Sequence, residues 1–431
     1  MLLNVKDFPS VQAALDAAAE GDRIYLPGNG AGTVYSPPPT SAWKITKSLE
    51  IFGDGPGEPG SERGTSLKRG SASNLPIFEI TPAAGSSELG TVVIRGMKLF
   101  RPSVDSTSSG EPLAIKCTVP SGGRIRSLQL DRIVVNLASG ATGDGVGLDL
   151  NASPGMLDNL SMTSCYVTGL PGFGIKLKRV GLARLNQGGG GKCTRGLLRA
   201  EASGVYASIQ EAEGDGLSPQ ADQAGMRLES CTIAHVEACR YEAYYKATIP
   251  TGLEFRNCAG AVLANCNSFV KGSEVDPVNP PPPGTIPTTS SIGIKVAGST
   301  SADNCPAVIL TNNFIRIFGQ VSSPGAMVDV ANSNQGCVVF PQFDDGQNAV
   351  VIPGSIKLPG YPNKGLVAWP TIASRGFQPQ DNRFAGMIIP SGSSLPTVGV
   401  QNGMLFCWQA ELGIYSLYVR INNAWRKAVT G

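Results

Sequence analysis

The sequence has little charge and few aromatic side chains: charged residues make up 16% and aromatic residues 6% of its 431 residues. Its 35 basic residues nearly balance its 33 acidic ones, which argues against a general binder of nucleic acid or of an anionic membrane. It also lacks an apolar run of the roughly 18 residues that would span a bilayer. Residues 1–10 contain no basic segment followed by an apolar one, so we expect no signal peptide and no membrane insertion.

Histidine and closely spaced cysteines are scarce as well. The chain has one histidine and ten cysteines. Cys231 and Cys239, like Cys258 and Cys266, are far apart compared with the close pairs that zinc sites use. We therefore predict no metal site and no cofactor. In a chain of this length we expect reduced, buried thiols and no disulfide scaffold.

What the sequence does contain is turn residues between short apolar runs. There are 54 glycines and 32 prolines, and the runs between them have about the length of a strand. Such runs lie at residues 23–27, 43–55, 91–100 and 124–137. No ordinary helix fits between them, which argues against a doubly wound α/β sheet and favours many short strands.

A repeat provides the main evidence for the fold. Residues 228–231 (Leu-Glu-Ser-Cys) align with residues 255–258 (Phe-Arg-Asn-Cys), and the same offset places Cys239 on Cys266. The pattern of one apolar, two polar and one small or apolar residue recurs at 94–97, 130–133, 162–165 and 310–313. A second phrase, glycine-apolar-x-apolar, recurs at 145–148, 174–177 and 293–296.

Repeats at this spacing are typical of solenoids. We predict an all-β fold, a single-stranded right-handed parallel β-helix over residues 1–340. Its rungs would lie about 4.8 Å apart, so that equivalent side chains stack. Cys231 over Cys258, and Cys239 over Cys266, would then form ladders in which cysteine acts as a small hydrophobe.

The two ends differ from this pattern. Residues 9–20 predict a helix that caps the open end of the solenoid, with Pro9 at its first position and Gly21 after its last. We predict an irregular linker region at 341–402 and a small C-terminal β-module at 403–431. Loops that leave the β-helix on one side are expected at residues 101–112, 186–192 and 272–290.

The N-terminal part resembles the start of pectate-lyase-like and phage tailspike β-helices. The residues that carry the resemblance are Val5-Lys6-Asp7-Phe8, Val11-Gln12-Ala13-Ala14-Leu15, Gly21-Asp22-Arg23-Ile24-Tyr25-Leu26-Pro27 and Gly53-Asp54-Gly55. The usual Gly-Ala insertion before the helix is absent, since Phe8 is followed directly by Pro9.

The C-terminal part, from Asn402-Gly403-Met404 to Ala424-Trp425-Arg426, resembles a short module that ends many phage fibre and virion surface proteins. Together the two resemblances imply a phage virion protein: a tailspike, a fibre or a capsid decoration. They also imply a homotrimer, made in the host cytoplasm, whose partners are other virion proteins and host-surface polysaccharide.

Acidic clusters are the candidate catalytic groups, because glycan-cleaving β-helices use carboxylates on their outer surface. The denser cluster contains Glu211, Glu213, Asp215 and Asp222. One of these acids would donate a proton and another would stay ionised, while the alternative is a solvated acidic loop. A second, smaller cluster consists of Asp144 and Asp149.

Other side chains have two interpretations. Tyr241, Tyr244 and Tyr245 could stack on sugar rings or pack a loop or a trimer interface. His235 aligns with Val262, which suggests a position towards the core rather than a catalytic one. Residues 188–192 (Gly-Gly-Gly-Gly-Lys) lack the ending of a phosphate-binding loop and are predicted to form a flexible loop.

The leading functional hypothesis is a trimeric structural or host-glycan-binding protein of a phage particle. The alternative is a tailspike-type polysaccharide depolymerase that uses paired carboxylates, and a third hypothesis is a free pectate-lyase-like enzyme. The enzyme hypotheses predict a carboxylate pair in an open groove. The structural hypothesis predicts acids that are scattered or paired with arginine or lysine.

Overall fold

The structure is a computed structural model, and it describes most of the chain up to residue 271 and short segments beyond. The described residues are 1–28, 34–56, 64–69, 75–101, 112–137, 145–170, 172–191, 193, 195–213, 224–243, 251–271, 292–296, 308–311, 313–318, 326–329, 337–339, 343–344, 356–357, 367–368, 372–373, 391–392, 405–411, 414–421 and 424–427.

The first third of the chain contains the described helices and nine strands. In order they are β1 (Leu2–Asn4), a 3₁₀ turn (Val5–Asp7), α1 (Val11–Ala17), β2 (Arg23–Leu26), β3 (Trp43–Ile45), β4 (Glu50–Gly53), β5 (Ser66–Lys68), β6 (Phe78–Ile80), β7 (Glu88–Arg101), β8 (Pro112–Cys117) and β9 (Arg124–Leu137). None of the described helices is long and apolar enough to cross a membrane.

The middle of the chain is a regular succession of strands. They are β10 (Val146–Asn151), β11 (Met156–Thr163), β12 (Tyr166–Thr168), β13 (Phe173–Lys178), β14 (Val180–Gly191), β15 (Gly196–Glu201), β16 (Gly204–Glu213), β17 (Ala224–Glu229), β18 (Ile233–Glu237), β19 (Arg240–Ala243), β20 (Thr251–Arg256), β21 (Ala261–Ala264) and β22 (Asn267–Lys271).

The remaining described strands are shorter until the C-terminus. They are β23 (Ile292–Val296), β24 (Val308–Thr311), β25 (Phe314–Phe318), β26 (Ala326–Asp329), β27 (Cys337–Val339), β28 (Phe343–Asp344), β29 (Ile356–Lys357), β30 (Val367–Ala368), β31 (Ile372–Ala373), β32 (Ser391–Gly392), β33 (Leu405–Glu411), β34 (Ile414–Ile421) and β35 (Ala424–Lys427).

The strands form two long parallel sheets, which confirms the predicted all-β parallel β-helix. We call the sheet of 20 described strands the long sheet and the other one the second sheet. The second sheet has 11 described strands, in the order β3-β6-β8-β10-β13-β15-β17-β20-β23-β26-β29. Each rung gives one strand to the second sheet, then one long or two short strands to the long sheet. In one rung these are β17, then β18 and β19, and the next rung, β20 to β22, pairs with it in parallel.

The core consists of columns of buried side chains that stack along the axis. One column of the second sheet is in register from rung to rung and is fully or almost fully buried: Trp43, Phe78, Ile115, Leu148, Ile175, Leu198, Met226, Leu253 and Ile294. Each rung covers the apolar surface of the one before it, so the hydrophobic core is continuous.

The rungs turn at residues in the left-handed conformation, and these form two columns. Between the second and the long sheet lie Arg179, Ala202, Ser230 and Asn257, with φ between 48° and 56°. Within the long sheet lie Gly96, Arg132, Ser164, Gln187, Ala238 and Asn265, with φ between 49° and 66°. The recurrent tetrapeptide of the sequence therefore marks two different corners: residues 228–231 and 255–258 form the first, and 94–97, 130–133 and 162–165 form the second.

The cysteine ladders are confirmed, and each thiol that follows a corner has a hydrogen-bonding role. Cys266 Sγ lies 3.2 Å from the carbonyl oxygen of Ala264, two residues earlier, and 3.7 Å from that of Val236 on the preceding rung, so either carbonyl can accept its one hydrogen. Cys258 Sγ likewise lies 3.4 Å from the carbonyl oxygen of Arg256 and 3.3 Å from that of Leu228 on the preceding rung. The thiols can thus form hydrogen bonds with backbone carbonyls at points where a corner interrupts the backbone hydrogen bonds between rungs. Seven of the described cysteines are buried free thiols: Cys117, Cys165, Cys193, Cys231, Cys239, Cys258 and Cys266.

The capping helix is shorter than predicted. It begins after Ser10, whose side chain accepts a hydrogen bond from the amide of Ala13 at 3.1 Å, and it ends at Ala17 because Ala18 is already extended. Ser10 caps the helix, so Pro9 lies outside it. Gly21, with φ of 82°, turns the chain towards β2 instead of ending the helix.

The glycine run predicted as a loop is part of β14. Glycine is required there because the rungs approach closely. A Cβ atom on Gly188 would lie 2.4 Å from the carbonyl oxygen of Cys165, and one on Gly190 would lie 1.9 Å from that of Val167. Most of the other two predicted loops, 101–112 and 272–290, lies outside the described residues.

Parallel pairing continues beyond the predicted end of the β-helix at residue 340. β29, β30 and β31 pair with β26, β27 and β28, which places a further rung inside the segment predicted as an irregular linker. At the C-terminus, β33, β34 and β35 form antiparallel pairs, unlike the rungs.

The left-handed corners predict a stabilising substitution. Alanine in this conformation costs roughly 1–2 kcal/mol, whereas glycine adds an unfolded-state entropy of about 0.5–1 kcal/mol. Ala202 is exposed and has φ of 48°. We expect Ala202→Gly to raise the free energy of unfolding by up to about 1 kcal/mol, measured as the midpoint of urea unfolding. Ala200→Gly, in the buried part of β15, is the control and should be destabilising; a lower midpoint for Ala202→Gly would contradict the account.

Candidate functional site

The acidic cluster predicted as catalytic lies partly on β16. Glu211 is in register with Gly189 on the preceding rung and with Arg240 on the next. Glu213 follows two residues later, so both residues lie on one rung and one face, roughly 7 Å apart along the strand. The neighbour of Glu211 on the next rung is thus a cation. The side chains of Glu211 and Glu213 lie outside the described residues.

The rest of that cluster is not described. Asp215, Asp222 and Asp144 lie outside the described residues, as do Tyr244 and Tyr245. Catalysis by the cluster and sugar binding by these tyrosines therefore stay predictions.

Tyr241 belongs to the interior, which corrects its assignment as a sugar-stacking residue. Its side chain is fully buried. The residues in register on the two preceding rungs are Ala212 and Gly190, which leave volume for a large ring. Burial raises the pKa of the Tyr241 hydroxyl well above its usual value. A ring enclosed in the core offers no face to a ligand.

His235 faces outwards, although its predicted register with Val262 is found. Its ring stacks on Tyr206 of the preceding rung, with 5.4 Å between the ring centroids. Its Nε2 atom lies 3.4 Å from Oε2 of Glu237. Its neighbours in β18, Ala234 and Val236, are buried, so His235 between them points to the opposite, outer side of the strand. The expectation of a position towards the core is therefore wrong.

The outer face of the second sheet contains a ladder of charged residues, one from each described strand. In register order, this charge ladder is Lys44, Glu79, Lys116, Asp149, Lys176, Arg199, Arg227, Glu254, Lys295, Asp329 and Lys357. Lys176 and Lys295 occupy the variable position of the glycine-apolar-x-apolar phrase, which was the signal for this ladder in the sequence.

Glu254 shows how the ladder compensates its charges. Its carboxylate is almost fully buried and lies 2.7 Å from Arg227, 2.8 Å from Arg256 and 3.4 Å from Lys295. The charge of this buried carboxylate is thus compensated by three cations from its own rung and the two flanking rungs. Beside the ladder, Lys178 and Glu201 are in register on adjacent rungs and form a further ion pair at 2.6 Å.

Asp149 is the exception within the ladder. It is 7% exposed, and its Oδ1 atom has no hydrogen-bond partner among the described residues. Burial raises the pKa of the Asp149 carboxyl, and Lys176 and Lys116 on the flanking rungs lower it by less. A raised pKa suits a general acid, but both residues in register with Asp149 are lysines, not the second carboxylate that a glycosidase pair requires.

A surface pocket lies where three successive turns lead from the second sheet into the long sheet. We call it the turn pocket. It has a volume of about 320 Å³ and is lined by residues 87–88, 122–124 and 154–156 together with Arg179. Sequence reasoning missed it. Its signal is the recurrence of glycine or proline with serine on successive rungs, just before β7, β9 and β11.

The carboxylates beside the turn pocket are held by arginines. Arg126 forms an ion pair with Glu88 and lies 3.6 Å from Asp158, and Arg124 lies 3.2 Å from the other Asp158 oxygen. The hydrogen bond from Arg126 lowers the pKa of Glu88. Both acids are therefore engaged in ion pairs, and the lowered pKa makes Glu88 a poor proton donor.

Arg179 supplies the uncompensated charge of the turn pocket. It is exposed, and its side chain makes no hydrogen bond or ion pair among the described residues. No group of three or more potential metal ligands occurs in the described part of the chain. The pocket thus combines polar turns with a free guanidinium.

Comparisons with known proteins do not assign a family. No protein-family model matches the sequence, and no curated protein is similar to it. Among solved structures, ORF18 of Geobacillus virus E2 is similar at 12% sequence identity, and the match covers 100% of this chain and 86% of that chain, with a TM-score of 0.31. A likeness at that TM-score carries no argument about function.

The raised pKa of Asp149 predicts a pH-dependent gain in stability on substitution. A carboxyl whose folded pKa exceeds its unfolded value of 3.8 favours the folded state below that pH, and this contribution is lost as pH rises through the folded pKa. We expect Asp149→Asn to raise the urea midpoint at pH 7, with a gain that disappears as the pH falls towards 3.8. The control is Asp131→Asn, at a side chain that is 36% exposed, and it should change stability by no more than about 0.5 kcal/mol. A loss of stability for Asp149→Asn at pH 7 would show that its carboxylate is engaged by the flanking lysines.

Proposed function

We propose that this protein is a structural and host-glycan-binding component of a phage particle and not a depolymerase. The resemblance of both ends of the chain to phage proteins supports its assignment to a phage particle. The observation that supports binding over hydrolysis is the pairing of Glu88 and Asp158 with Arg126 and Arg124 beside the turn pocket, which Glu88 and Arg124 line. Ion-paired acids are what the structural hypothesis predicted from the sequence.

A glycosidase would need a different arrangement. A retaining enzyme places two carboxyl groups about 5–5.5 Å apart, one of them with a raised pKa. In the described residues the raised pKa belongs to Asp149, on the second sheet, whereas the acids of the turn pocket are ion-paired. The carboxyl group with the raised pKa and the turn pocket thus lie at different places in the fold.

The proposed absence of hydrolysis is tested by incubating the assembled protein with polysaccharide from the host surface. We expect no new reducing ends and no unsaturated sugars, while the polysaccharide is retained in a co-sedimentation assay. A Glu211→Gln, Glu213→Gln double variant is the control and should behave like the wild type. Product that the double variant no longer forms would reverse the proposal in favour of the depolymerase.

A homotrimer is the second part of the proposal, and the outer face of the long sheet is the surface that supports it. Tyr206, His235, Val262 and Ile309 are in register on four successive rungs of that face. Tyr206 is 40% and Ile309 41% exposed, and Ile233 beside them is 41% exposed. Large apolar side chains stacked in a row on one face are typical of a surface that another chain covers.

The trimer is tested by the molar mass in solution, from light scattering after size exclusion. We expect three times the 44.8 kDa of the chain for the wild type, and we expect the Ile233→Asp, Ile309→Asp variant to dissociate because a buried charge would face each partner. Val34→Asp alters a side chain of similar exposure away from this face and should leave the trimer intact. A monomeric wild type at micromolar concentration would refute the trimer.

A further inference from the structure

We infer that the turn pocket binds an oxyanion, a carboxylate or phosphate group attached to a sugar. The inference rests on the proposed glycan-binding role and specifies the ligand chemistry of one site. Its three supports are the charge of the pocket, its shape and the rigidity of its walls.

The charge of the pocket selects an anion. Arg124 and Arg126 are engaged by Asp158 and Glu88, which hold their guanidinium groups in place. Arg179 lines the same pocket, and its side chain has no hydrogen bond or ion pair among the described residues. Three arginines against two carboxylates leave one positive charge, and a guanidinium presents paired donors that match the oxygens of a carboxylate or phosphate.

The shape of the pocket suits a single sugar. A volume of about 320 Å³ lies at the lower end of ordinary ligand sites, which begin at roughly 300 Å³. The pocket is open to solvent, so a longer glycan chain can continue from the bound residue. Pro154 and Met156 supply apolar surface beside the charged groups, as the mixed faces of a sugar ring require.

The walls are fixed by close backbone packing. A Cβ atom on Gly155 would lie 2.3 Å from a Val119 side-chain carbon and 2.6 Å from the carbonyl oxygen of Pro120, and one on Gly123 would lie 2.9 Å from the Pro120 ring. Hydrogen bonds from Gly155 to Val119 and from Met156 to Gly123 join the turns of adjacent rungs. A site whose walls are already held loses little entropy on binding.

The substitution that tests the inference is Arg179→Gln. Glutamine fits the left-handed backbone of this corner, since Gln187 has φ of 49° at the other corner column. Arg184→Gln is the matched control: Arg184 is exposed on the adjoining strand, β14, but lies outside the pocket. Both variants lose one charge, so a general electrostatic effect would appear in both.

The probes are glucose 6-phosphate, glucuronate and glucose, measured by ligand-observed NMR with the full-length protein at low salt. We expect the wild type and Arg184→Gln to bind one or both acidic sugars in preference to glucose, and Arg179→Gln to bind them about tenfold more weakly. The preferred acidic sugar identifies the group as phosphate or carboxylate. Equal binding of glucose, no binding of either acidic sugar, or an equal loss in Arg184→Gln would overturn the inference.

Binding of intact host polysaccharide separates this inference from the proposed function. If the wild type retains the polysaccharide and Arg179→Gln retains it equally, while neither acidic sugar binds, the pocket assignment fails and the glycan-binding role stands. If the polysaccharide is not retained but acidic sugars bind in a manner that depends on Arg179, the pocket assignment stands and the glycan-binding role fails.

Discussion

In-register stacking of rungs is the constraint on which the rest of the structure depends. Adjacent strands lie about 4.8 Å apart, so a residue on one rung is in contact with its counterparts above and below, whatever lies between them in the sequence. An apolar residue must therefore have apolar counterparts, as in the column from Trp43 to Ile294. The same rule fixes the corners: a rung that turns at Ser230 must be followed by one that turns at Asn257.

This constraint explains why the sequence predicted the fold well. Cys231 and Cys258 occupy equivalent positions after one corner, and Cys239 and Cys266 after the other, so the offset between them directly measured one rung. The predictions that failed depend on contacts between rungs. The tetrapeptide pattern did not distinguish the two corners. Both corners require a residue that tolerates the left-handed conformation, followed by a residue whose side chain points into the core. The glycine run was assigned to a loop because its composition does not reveal the carbonyls of Cys165 and Val167 that exclude a Cβ atom.

The candidate site was less predictable for the same reason. Reasoning from the sequence selected acids that are close along the chain, such as Glu211 and Glu213, which the fold places on a single strand. Groups that meet in space come from neighbouring rungs: Glu88 meets Arg126, and Arg126 meets Asp158, each about one rung further along the chain. A pocket made of three turns has no local motif. Tyr241, selected for its neighbours in the sequence, is buried because Gly190 and Ala212 on earlier rungs leave room for it.

Stacking also limits where a carboxylate pair could exist on such a surface. Two like charges on adjacent rungs would repel by roughly 3 kcal/mol at an effective dielectric constant of about 20, so an acid is more stable beside a cation. The charge ladder follows this rule at Glu254, which contacts Arg227 on one rung and Lys295 on the next. A catalytic pair would have to break the rule and be stabilised by its surroundings. Asp149 departs from full compensation through its unpartnered Oδ1, yet both of its counterparts are lysines. The rule is not strict, since Lys176, Arg199 and Arg227 are cations in register on three successive rungs. Arg199 and Arg227 are compensated by Glu229 and Glu254, which lie on the following rung, and such ion pairs between rungs keep these charges in the solenoid.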